Sequence, residues 1–316
     1  MTSSGDDADV GRWAVIVPVG PAAVETERLH DLFDALQTYE PGVGSVVLVD
    51  DAADQDRDLL ATAGPLRGRT TVIVNPRGPD LEGWSDGLVV GIKAALELLL
   101  TGGDVDWVLK MDTDALVIGE FASAITERFA TDPTLGLVGS HDLRCDGTPH
   151  PNGWPRTIRK HQHWISVWRP PNRLFRTSFT GIERARREFV RDARKLGYRP
   201  GEHCQGGAYA VSMRAVREIK ERGWFDAGLW MGTQTAEDVV MGAEVRAAGF
   251  GIAGMVAPGE PFAVRYIGIE DAPDVLVAAG HGLVHSLKSH GDWTEAELRD
   301  AFRRIRGQRV GEGRPS

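Results

Sequence analysis

The sequence predicts an α/β fold with a doubly wound, mostly parallel sheet, and two observations lead to it. Three mainly apolar runs rich in β-branched residues, 12–20, 44–51 and 69–78, are bounded by Gly, Pro and Asp. Unbroken runs of this kind are typical of parallel strands that are covered on both faces. Segments 25–39 and 85–103 repeat apolar residues at helical spacing, so strands alternate with helices and imply right-handed crossovers.

Composition excludes several classes of protein. A chain of 316 residues is long enough to bury a full core. The net charge of -9 argues against a general nucleic-acid binder, which needs a basic surface. No apolar run approaches the roughly 20 residues of a membrane span, and residues 1–10 lack the features of a secretion signal. Cys145 and Cys204 make neither a disulfide framework nor a zinc spacing. We therefore expect a cytoplasmic protein without membrane association.

The carboxyl ends of the predicted strands carry polar or turn residues. The first strand ends at Pro18 and Val19, and the second ends at Asp50 and Asp51. Doubly wound sheets bind their ligands at this edge. A third strand, "VDWVLKMDTDALV" (105–117), ends in two carboxylates at positions i and i+2. The pattern therefore predicts a ligand site along one edge of the sheet.

The two carboxylates, Asp112 and Asp114, require a positive partner. Burying paired acids is costly, and without a cation their like charges should raise the pKa of one of them. A divalent cation bound to a diphosphate would neutralise them, and Mn²⁺ and Mg²⁺ favour such oxygen ligands. The same spacing also occurs in turns and helix caps, which leaves a purely structural role open.

Three later segments carry further polar groups. The stretch "HCQGGAYAVSMRAV" (203–216) predicts a Gly-Gly turn, a short strand and a helix. The stretch "GTQTAEDVVMGAEVRAAGF" (232–250) predicts a helix with Glu237 and Asp238 in its first turn and Thr235 as N-cap. The stretch "GHGLVHSLKSHG" (280–291) places three His and one Lys before the last helix.

Together these motifs resemble a GT-A-type, nucleotide-sugar-dependent glycosyltransferase, from about 12 to 288. "VLKMDTDALV" is similar to the Asp-x-Asp strand of that fold, "GGAYAVS" to its acceptor-side strand, and "AEDVVMGAEVRAAGF" to its Glu-Asp helix. The set is most similar to inverting enzymes such as the β-1,3-galactosyltransferase and Fringe group and the bacterial family-2 transferases. The resemblance implies a GT-A (Rossmann-like) fold with an acceptor-side subdomain and a basic loop and helix insertion.

The resemblance also implies a role for each matching residue. Asp50 and Asp51 would recognise the base and ribose, and Pro18, Val19 and Thr113 would line the nucleotide pocket. The metal ion, Mn²⁺ or Mg²⁺, would be held by Asp112, which also faces the ribose, Asp114 and His285, with His281 as the alternative histidine. Lys288 would meet a phosphate or remain in solvent. The residues expected beside the acceptor are Gly206, Gly207, Trp230, Glu237 and Asp238, with Asp238 as the catalytic base.

The resemblance further implies an organisation into halves. We expect disorder at 1–10 and 308–316 around a single catalytic domain, 11–307. Its parts would be a nucleotide-binding half at 11–118, an acceptor and metal half at 119–291 and a C-terminal helix at 292–307. The acceptor half contains a basic insertion at 156–199, and we expect its first part to fold over the donor. Family-2 members often carry Ala-Arg-Asn where this chain has Gly87, Leu88 and Val89, so the insertion is a candidate source of the missing cation.

The reaction implied is a single displacement that inverts the anomeric carbon. The donor would be a nucleoside diphosphate sugar, with UDP expected from family habit, and the acceptor a hydroxyl of a soluble metabolite or natural product. Three alternatives stay open: a haloacid-dehalogenase-type phosphatase, a sugar nucleotidyltransferase, and a non-catalytic nucleotide-sugar-binding protein of the same fold. The sugar, the acceptor and the oligomeric state do not follow from the sequence.

Overall fold

The computed structural model describes residues 12–52, 57–77, 86–151, 155–156, 181–231, 233 and 235–312. In these ranges the larger sheet contains β1 (Trp13–Val19), β2 (Ser45–Asp50), β3 (Thr70–Val74), β4 (Trp107–Met111), β6 (Leu135–Gly139), β7 (Ala208–Ser212) and β8 (Gly251–Gly254). A smaller sheet contains β5 (Leu116–Val117), β9 (Phe262–Val264) and β10 (Leu283–His285). A short ribbon pairs β11 (Ser289–His290) with β12 (Trp293–Thr294).

The helices within the described ranges are α1 (Val24–Tyr39), α2 (Asp86–Gly102), α3 (Ala122–Thr131), α4 (Gly181–Lys195), α5 (Met213–Glu221), α6 (Glu237–Ala247), α7 (Pro273–Ala278) and α8 (Glu295–Glu312). Short 3₁₀ segments occupy Leu59–Arg69 and Ala227–Leu229. Of these helices, none has both the length and the hydropathy that crossing a membrane requires.

The order of the strands confirms the predicted doubly wound sheet. The seven strands lie in the order β3-β2-β1-β4-β7-β6-β8, and only β7 runs antiparallel to its neighbours. From β1 the chain builds outward to β3 and then returns to place β4 on the other side of β1. This reversal creates a switch point between β1 and β4, and such a point leaves a crevice at the carboxyl ends of the strands.

Apolar packing on both faces of the sheet explains the unbroken apolar runs. On one face, Val15 and Val17 pack with residues from α1, α3 and α8, and Trp13 stacks on Trp107 with ring centroids 4.9 Å apart. On the other face, Ala14 and Ile16 pack with residues from α2, α5 and α6. Because consecutive residues of a strand point to opposite faces, both sets of side chains must be apolar.

The structure differs from one sequence prediction about the end of the chain. The C-terminal helix α8 begins at Glu295 and continues to Glu312, so residues 308–312 are helical where the sequence predicts disorder from 308. Three arginines of this helix pair with Asp31 of α1, a long-range contact described below. The helical part of the basic insertion is present as α4. The segment predicted to fold over the donor lies almost wholly outside the described residues, as do residues 1–10.

Candidate functional site

Three predicted metal ligands meet at the carboxyl end of β4. Asp112 and Asp114 lie in the turn that follows β4, rather than on the strand itself as their spacing predicts. His285 ends β10, and its Nε2 lies 3.4 Å from Asp114 Oδ2 and 3.9 Å from Asp112 Oδ2. One ligand atom from each of the three residues lies within 4.8 Å of the others. The structure therefore assembles a cluster of two carboxylates and one imidazole that is able to hold a metal ion.

The orientation of His285 suits metal binding. Its Nδ1 lies 2.6 Å from the carbonyl oxygen of Arg265, and because a carbonyl only accepts, Nδ1 carries the hydrogen. Nε2 is the ring atom that points to the two carboxylates, and it would supply the lone pair for a metal ion when the ring is neutral. Gly207 makes room for the ring, since a Cβ there would lie 2.1 Å from its Cγ. His281, the alternative ligand, instead uses Nδ1 on the carbonyl oxygen of Glu260, 2.8 Å away, and is outside the cluster.

Cationic and hydrogen-bonding groups surround Asp114 and balance its negative charge. The Lys288 ammonium lies 3.0 Å from Oδ2, and the Ser286 hydroxyl donates to the same oxygen at 2.8 Å. Burial raises the pKa of Asp114, but hydrogen bonds from His285 and Ser286 and the charge of Lys288 lower it far more. The expectation of a raised pKa is therefore wrong for Asp114. Burial lowers the pKa of His285, and the two carboxylates raise it above its ordinary value.

Lys110 is the most important site residue that the sequence analysis missed. Its side chain is 2 % exposed, and its Nζ lies 2.7 Å from Asp112 Oδ1 and 2.6 Å from Glu237 Oε1. The same nitrogen donates to the carbonyl oxygen of Gly206 at 2.5 Å. Burial lowers the pKa of Lys110, but the two carboxylates raise it above its usual value, so the ammonium stays charged. A signal was present: Lys110 is a lone charge in an apolar strand, two residues before Asp112 and therefore on the same face.

The Glu-Asp helix is present, but its cap differs from the prediction. Helix α6 begins at Glu237, and its N-cap residue, Ala236, makes no side-chain hydrogen bond. Thr235 is instead buried and hydrogen bonded to the Thr233 hydroxyl at 2.8 Å, so its prediction as the cap is wrong. Burial and the charge of Asp238 raise the pKa of Glu237, and the Lys110 ammonium opposes this. The two acids of the helix are thus held without a capping hydroxyl.

Within the described part of the chain, one carboxylate oxygen of Asp238 accepts no hydrogen bond. Its Oδ1 accepts from the backbone N–H of Val239 at 2.7 Å, and its Oδ2 lies 3.8 Å from His203 Nε2. Gly206 packs against this oxygen, since a Cβ there would lie 2.9 Å from Oδ2. The two glycines of the predicted acceptor strand therefore lie against functional side chains, Gly206 against Asp238 and Gly207 against His285.

Trp230 does not occupy the acceptor position that the sequence predicts. The side chain is 1 % exposed and packs edge-on against Phe189 of α4, with ring centroids 5.4 Å apart. Its Nε1 donates to Glu244 Oε1 at 2.9 Å, beside a buried ion pair of 2.6 Å between Lys93 and Glu244. Because its ring and its N–H are both used in this core, Trp230 is corrected to a packing residue.

The predicted nucleotide-binding residues lie at the carboxyl ends of β1 and β2. Asp50 accepts from Arg57 Nε at 3.1 Å, and Arg57 also donates to the carbonyl oxygen of Gly20 at 2.8 Å. Asp51 pairs with Arg77 Nε at 2.8 Å and accepts from Asn75 at 2.8 Å. Each of the two acids is therefore paired with an arginine. The sequence analysis missed both arginines because they lie in loops.

Three further predicted nucleotide-binding residues lie at the same edge. Val19 is buried at the end of β1, and Pro18 before it is partly exposed. The Thr113 hydroxyl donates to Glu25 of α1, which anchors the turn between the two metal-site carboxylates. The structure thus gathers the donor-side residues around the switch point, and their contact with a nucleotide remains a prediction.

A cavity of about 420 Å³ opens at the carboxyl ends of β6 and β8. These ends share an edge with Asp112, because β6 and β4 each pair antiparallel with β7. Its lining includes the polar residues His141, Asp142 and Arg144 and the apolar residues Val256 and Pro258. The volume lies within the range of about 300–1,000 Å³ that is usual for small-molecule sites. Another cavity, of about 440 Å³, lies between α4 and residues 222–229 and does not include the metal cluster.

Comparisons with known proteins place the chain beside glycosyltransferases at low similarity. No protein-family model matches the sequence. No curated protein matches it either. The solved structure of galactosyltransferase LgtC with donor and acceptor sugar analogs shows 13% identity and a TM-score of 0.47, covering 93% of this chain and 95% of that chain. An active-site mutant of LgtC shows 14% identity and a TM-score of 0.45, with the same coverage.

A third solved structure is the mannosyltransferase PcManGT from Pyrobaculum calidifontis in complex with GDP-Man and Mn²⁺. It shows 17% identity and a TM-score of 0.40, covering 78% of this chain and 55% of that chain. These similarities are too low to assign a reaction. The structure itself is that of a mixed α/β protein with a doubly wound, mostly parallel sheet. A cluster of two aspartates and one histidine lies at the switch point of this sheet.

Proposed function

We propose that this protein is a metal-dependent, inverting glycosyltransferase. It moves a sugar from a nucleoside diphosphate donor, UDP-sugar in the first instance, to a hydroxyl of a soluble acceptor. The observation that carries the proposal is the cluster of Asp112, Asp114 and His285 at the switch point of the sheet, joined through Lys110 to the helix that bears Asp238. This arrangement supports a site in which a metal ion would bind the diphosphate and Asp238 would accept the proton of the hydroxyl.

The cluster fits a divalent metal by its chemistry. The cluster offers two carboxylates and one imidazole, and the imidazole already donates its Nδ1 hydrogen to the carbonyl oxygen of Arg265. Mn²⁺ binds both kinds of ligand, whereas Mg²⁺ prefers the carboxylates. Asp112, Asp114 and His285 would hold the ion. When bound, it would stabilise the negative charge that develops on the departing nucleoside diphosphate.

The residues around the cluster would hold the donor. Lys288 is 60% exposed, so its flexible ammonium is free to exchange Asp114 for a phosphate oxygen when a metal occupies the carboxylates. On the nucleotide side, Arg57 holds Asp50 and Arg77 holds Asp51, so these carboxylates are kept oriented for the ribose hydroxyls or the base. Thr113, between Asp112 and Asp114 in the chain, is held by its hydrogen bond to Glu25 of α1.

On the acceptor side, Asp238 Oδ2 would take the proton of the attacking hydroxyl. Its other oxygen is engaged with the backbone N–H of Val239, and an anion in the first turn of a helix is favoured by the helix dipole. The neighbouring acid Glu237 is unsuited to this role, because it is buried against Lys110. The cavity lined by His141 and Val256 would hold the rest of the acceptor, and its lining includes both polar and apolar side chains.

A panel of nucleotide sugars tests the proposal. Thermal unfolding would be followed with UDP-, GDP- and dTDP-sugars, each with Mn²⁺ and with EDTA, for the wild-type protein and Asp114→Asn. Ligand at 100 times its Kd stabilises the folded state by about 2.7 kcal/mol, which raises the Tm by several degrees. We expect one nucleotide series to raise the Tm of the wild type with Mn²⁺ only, and not that of the variant. Equal affinity for UDP with and without EDTA would contradict the metal-bridged donor.

Product formation separates the enzyme from a non-catalytic binding protein of the same fold. Release of nucleoside diphosphate that depends on an added acceptor supports a transferase. Binding of the donor without any release, over a broad acceptor panel, would instead favour the binding protein.

A further inference from the structure

The cavity of about 420 Å³ at the carboxyl ends of β6 and β8 is lined by an arginine without a partner. The Nε of Arg144 is buried and makes no hydrogen bond. Across the described ranges of the chain, the guanidinium of Arg144 forms no ion pair with a carboxylate. A buried N–H without an acceptor is costly, so this side chain favours a ligand that brings one.

The two acids of the same lining are held by other groups. Asp142 pairs with Arg199, at a distance of 2.7 Å. Glu260 accepts from the backbone N–H of Ala257 at 2.8 Å, within its own turn. Neither acid neutralises Arg144, and the second oxygen of Glu260 remains able to accept from a hydroxyl of a ligand.

Backbone hydrogen bonds fix the loop that carries Arg144. The Arg144 N–H donates to the carbonyl oxygen of Thr148 at 2.8 Å, and the Gly147 N–H returns to the Arg144 carbonyl oxygen at 3.0 Å. At the base of the loop, the His150 N–H donates to the carbonyl oxygen of Asp142 at 3.0 Å. The backbone beside the cavity is therefore ordered before a ligand arrives, which lowers the entropy that binding costs.

His141 offers a second polar atom without a partner. Its side chain is 9% exposed, and among the described residues its Nε2 has no hydrogen bond. Carboxylate oxygens of Asp142 and Glu202 lie 3.5 and 3.6 Å from this nitrogen, which is too far for a good hydrogen bond. Because both carboxylates are already paired with arginines, Nε2 is left for a polar group of the ligand.

The cavity adjoins the segment that packs against the proposed base. Next to His141 in the chain, the carbonyl oxygen of Ser140 accepts from the Gln205 N–H at 2.9 Å. The residue after Gln205 is Gly206, where a Cβ would lie 2.9 Å from Asp238 Oδ2. A molecule anchored in the cavity is therefore held on the Asp238 side of the sheet edge.

We propose that this cavity binds an anionic group of the acceptor, a carboxylate or a phosphate, through Arg144 and His141. The acceptor is then a sugar acid or a sugar phosphate, whose hydroxyls donate to Glu260. A guanidinium matches both kinds of anion, because its N–H groups form a fork that binds two oxygens at once. The anion site stands by itself, and its assignment to the acceptor rests on the proposed function.

Calorimetry in EDTA tests the anion site apart from the candidate metal site. The ligands are glucose 6-phosphate, glucuronate and their neutral counterpart glucose. We expect the wild type to bind the two anions more tightly than glucose. Arg144→Gln should weaken the binding of both anions at least about tenfold, because hydrogen bonds to charged groups are lost. Arg144→Lys keeps the charge without the fork and should lie between the two.

Arg217→Gln is the matched control, because Arg217 is an exposed arginine of α5 outside the cavity lining. It should bind both anions as the wild type does. Equal binding of glucose 6-phosphate by the wild type and both Arg144 variants would overturn the anion site. If Arg144→Gln does not fold, the comparison of glucose 6-phosphate with glucose in the wild type and in Arg144→Lys decides, and equal affinities for the two ligands overturn it.

Transfer assays then test whether the anion belongs to the acceptor. With a UDP-sugar and Mn²⁺, the ratio of kcat/KM for glucose 6-phosphate to kcat/KM for glucose should exceed one in the wild type. This ratio should fall at least about tenfold in Arg144→Gln, a change that a merely destabilised protein would not show. Inorganic phosphate should compete with the anionic acceptor. Phosphate that alters transfer to glucose without competing with glucose 6-phosphate would contradict the assignment and indicate a free effector.

The two proposals fail in different ways. If the anions bind at Arg144 but no sugar is transferred to any acceptor, the proposed function fails and the anion site remains. If transfer occurs with a preference that Arg144→Gln does not change, the anionic acceptor fails and the proposed function remains.

Discussion

Lys110 balances the negative charge of two acids of the site. A single buried ammonium lies within 2.7 Å of Asp112 and 2.6 Å of Glu237, on two elements that are distant in the sequence. Removing one partner of a buried ion pair leaves an uncompensated charge, which typically destabilises a protein by about 3–5 kcal/mol. The same residue therefore contributes to stability and sets the position of a predicted metal ligand.

Lys110→Met separates these two contributions when it is compared with Lys93→Met. Lys93 forms a buried pair with Glu244, at 2.6 Å, away from the metal cluster. We expect each variant to lower the free energy of unfolding by roughly 3 kcal/mol, measured by urea denaturation. Calorimetric binding of UDP with Mn²⁺ should weaken at least about tenfold in Lys110→Met only, because only Asp112 loses its partner. Equal binding in the two variants would assign Lys110 to stability alone.

Asp238 is predicted to be the base and not only a helix cap. The N-cap residue Ala236 makes no capping hydrogen bond, but Asp238 accepts from the Val239 N–H, and the loss of such a contact or of the dipole interaction costs about 0.5–2 kcal/mol in stability. Asp238→Asn keeps the shape of the side chain and removes most of its basicity. We expect the variant to bind donor and metal, to unfold within a few degrees of wild type, and to lose at least about a hundredfold in kcat. A near-normal kcat with a lowered Tm would show that Asp238 is structural.

At the scale of elements, α8 is tied to α1 by a buried carboxylate with three arginine partners. Asp31 is 2% exposed, and it pairs with Arg299 at 3.0 Å, Arg303 at 3.1 Å and Arg306 at 2.9 Å. Arg299 also donates to the carbonyl oxygen of Thr113 at 3.2 Å. The last helix therefore reaches the turn that carries Asp112 and Asp114, which makes it part of the support of the metal cluster.

The contribution of Asp31 to stability should depend on pH in a defined direction. Burial raises the pKa of Asp31, but the three arginines lower it below its ordinary value. A carboxylate with a lowered pKa contributes its full stability above the unfolded value of about 3.9 and loses it as the pH falls through the folded value. Asp31→Asn should lower the Tm by about 5 °C at pH 7, and the difference from wild type should shrink below about pH 4.

Scanning calorimetry at several pH values measures this difference. Asp34→Asn is the matched control, because Asp34 lies on the same helix and is exposed. That variant should unfold with the wild type at every pH. A difference for Asp31→Asn that stays constant from pH 7 to pH 3 would show that the carboxylate charge is not what holds α8.

At the scale of the whole molecule, the switch point joins two halves with different chemistry. β1 and β2 bring the residues expected to hold the nucleotide, and β7 and α6 bring Gly206, Gly207 and Asp238. β4 lies between them in the sheet, and the turn after it carries Asp112 and Asp114 of the candidate metal site. The proposed base and the carboxylates proposed to hold the metal ion and diphosphate thus belong to different elements, as the proposed single displacement requires.

The stereochemistry of the product tests this arrangement. A single displacement inverts the anomeric carbon, so a donor with an α-linked diphosphate should give a β-linked product. Proton NMR of the anomeric signal, recorded early in the reaction, would show the configuration directly. An α-linked product would contradict the single displacement and with it the role of Asp238, while leaving donor binding at the switch point in place.

The sequence by itself determined the class of fold and several members of the site. The apolar runs of β1, β2 and β3, the helices α1 and α2, the Asp112–Asp114 pair and the Glu-Asp helix are local patterns, and the structure has each of them. The resemblance to the glycosyltransferase fold also names His285 as a metal ligand, and the structure places this histidine beside Asp112 and Asp114. The spacing of apolar residues within a short segment shows which of its side chains are buried, so these elements can be predicted without knowledge of the rest of the fold.

Only the tertiary structure decided how these residues are partnered. Lys110 between Asp112 and Glu237, the arginines of α8 on Asp31, and the burial of Trp230 against Phe189 all join residues that are distant in the sequence. The choice of His285 over His281 depends on which ring faces the carboxylates, and the cap of α6 depends on how Thr235 is hydrogen bonded. The physical reason is that charge pairing and burial are set by distances across the fold, and a sequence window does not contain those distances.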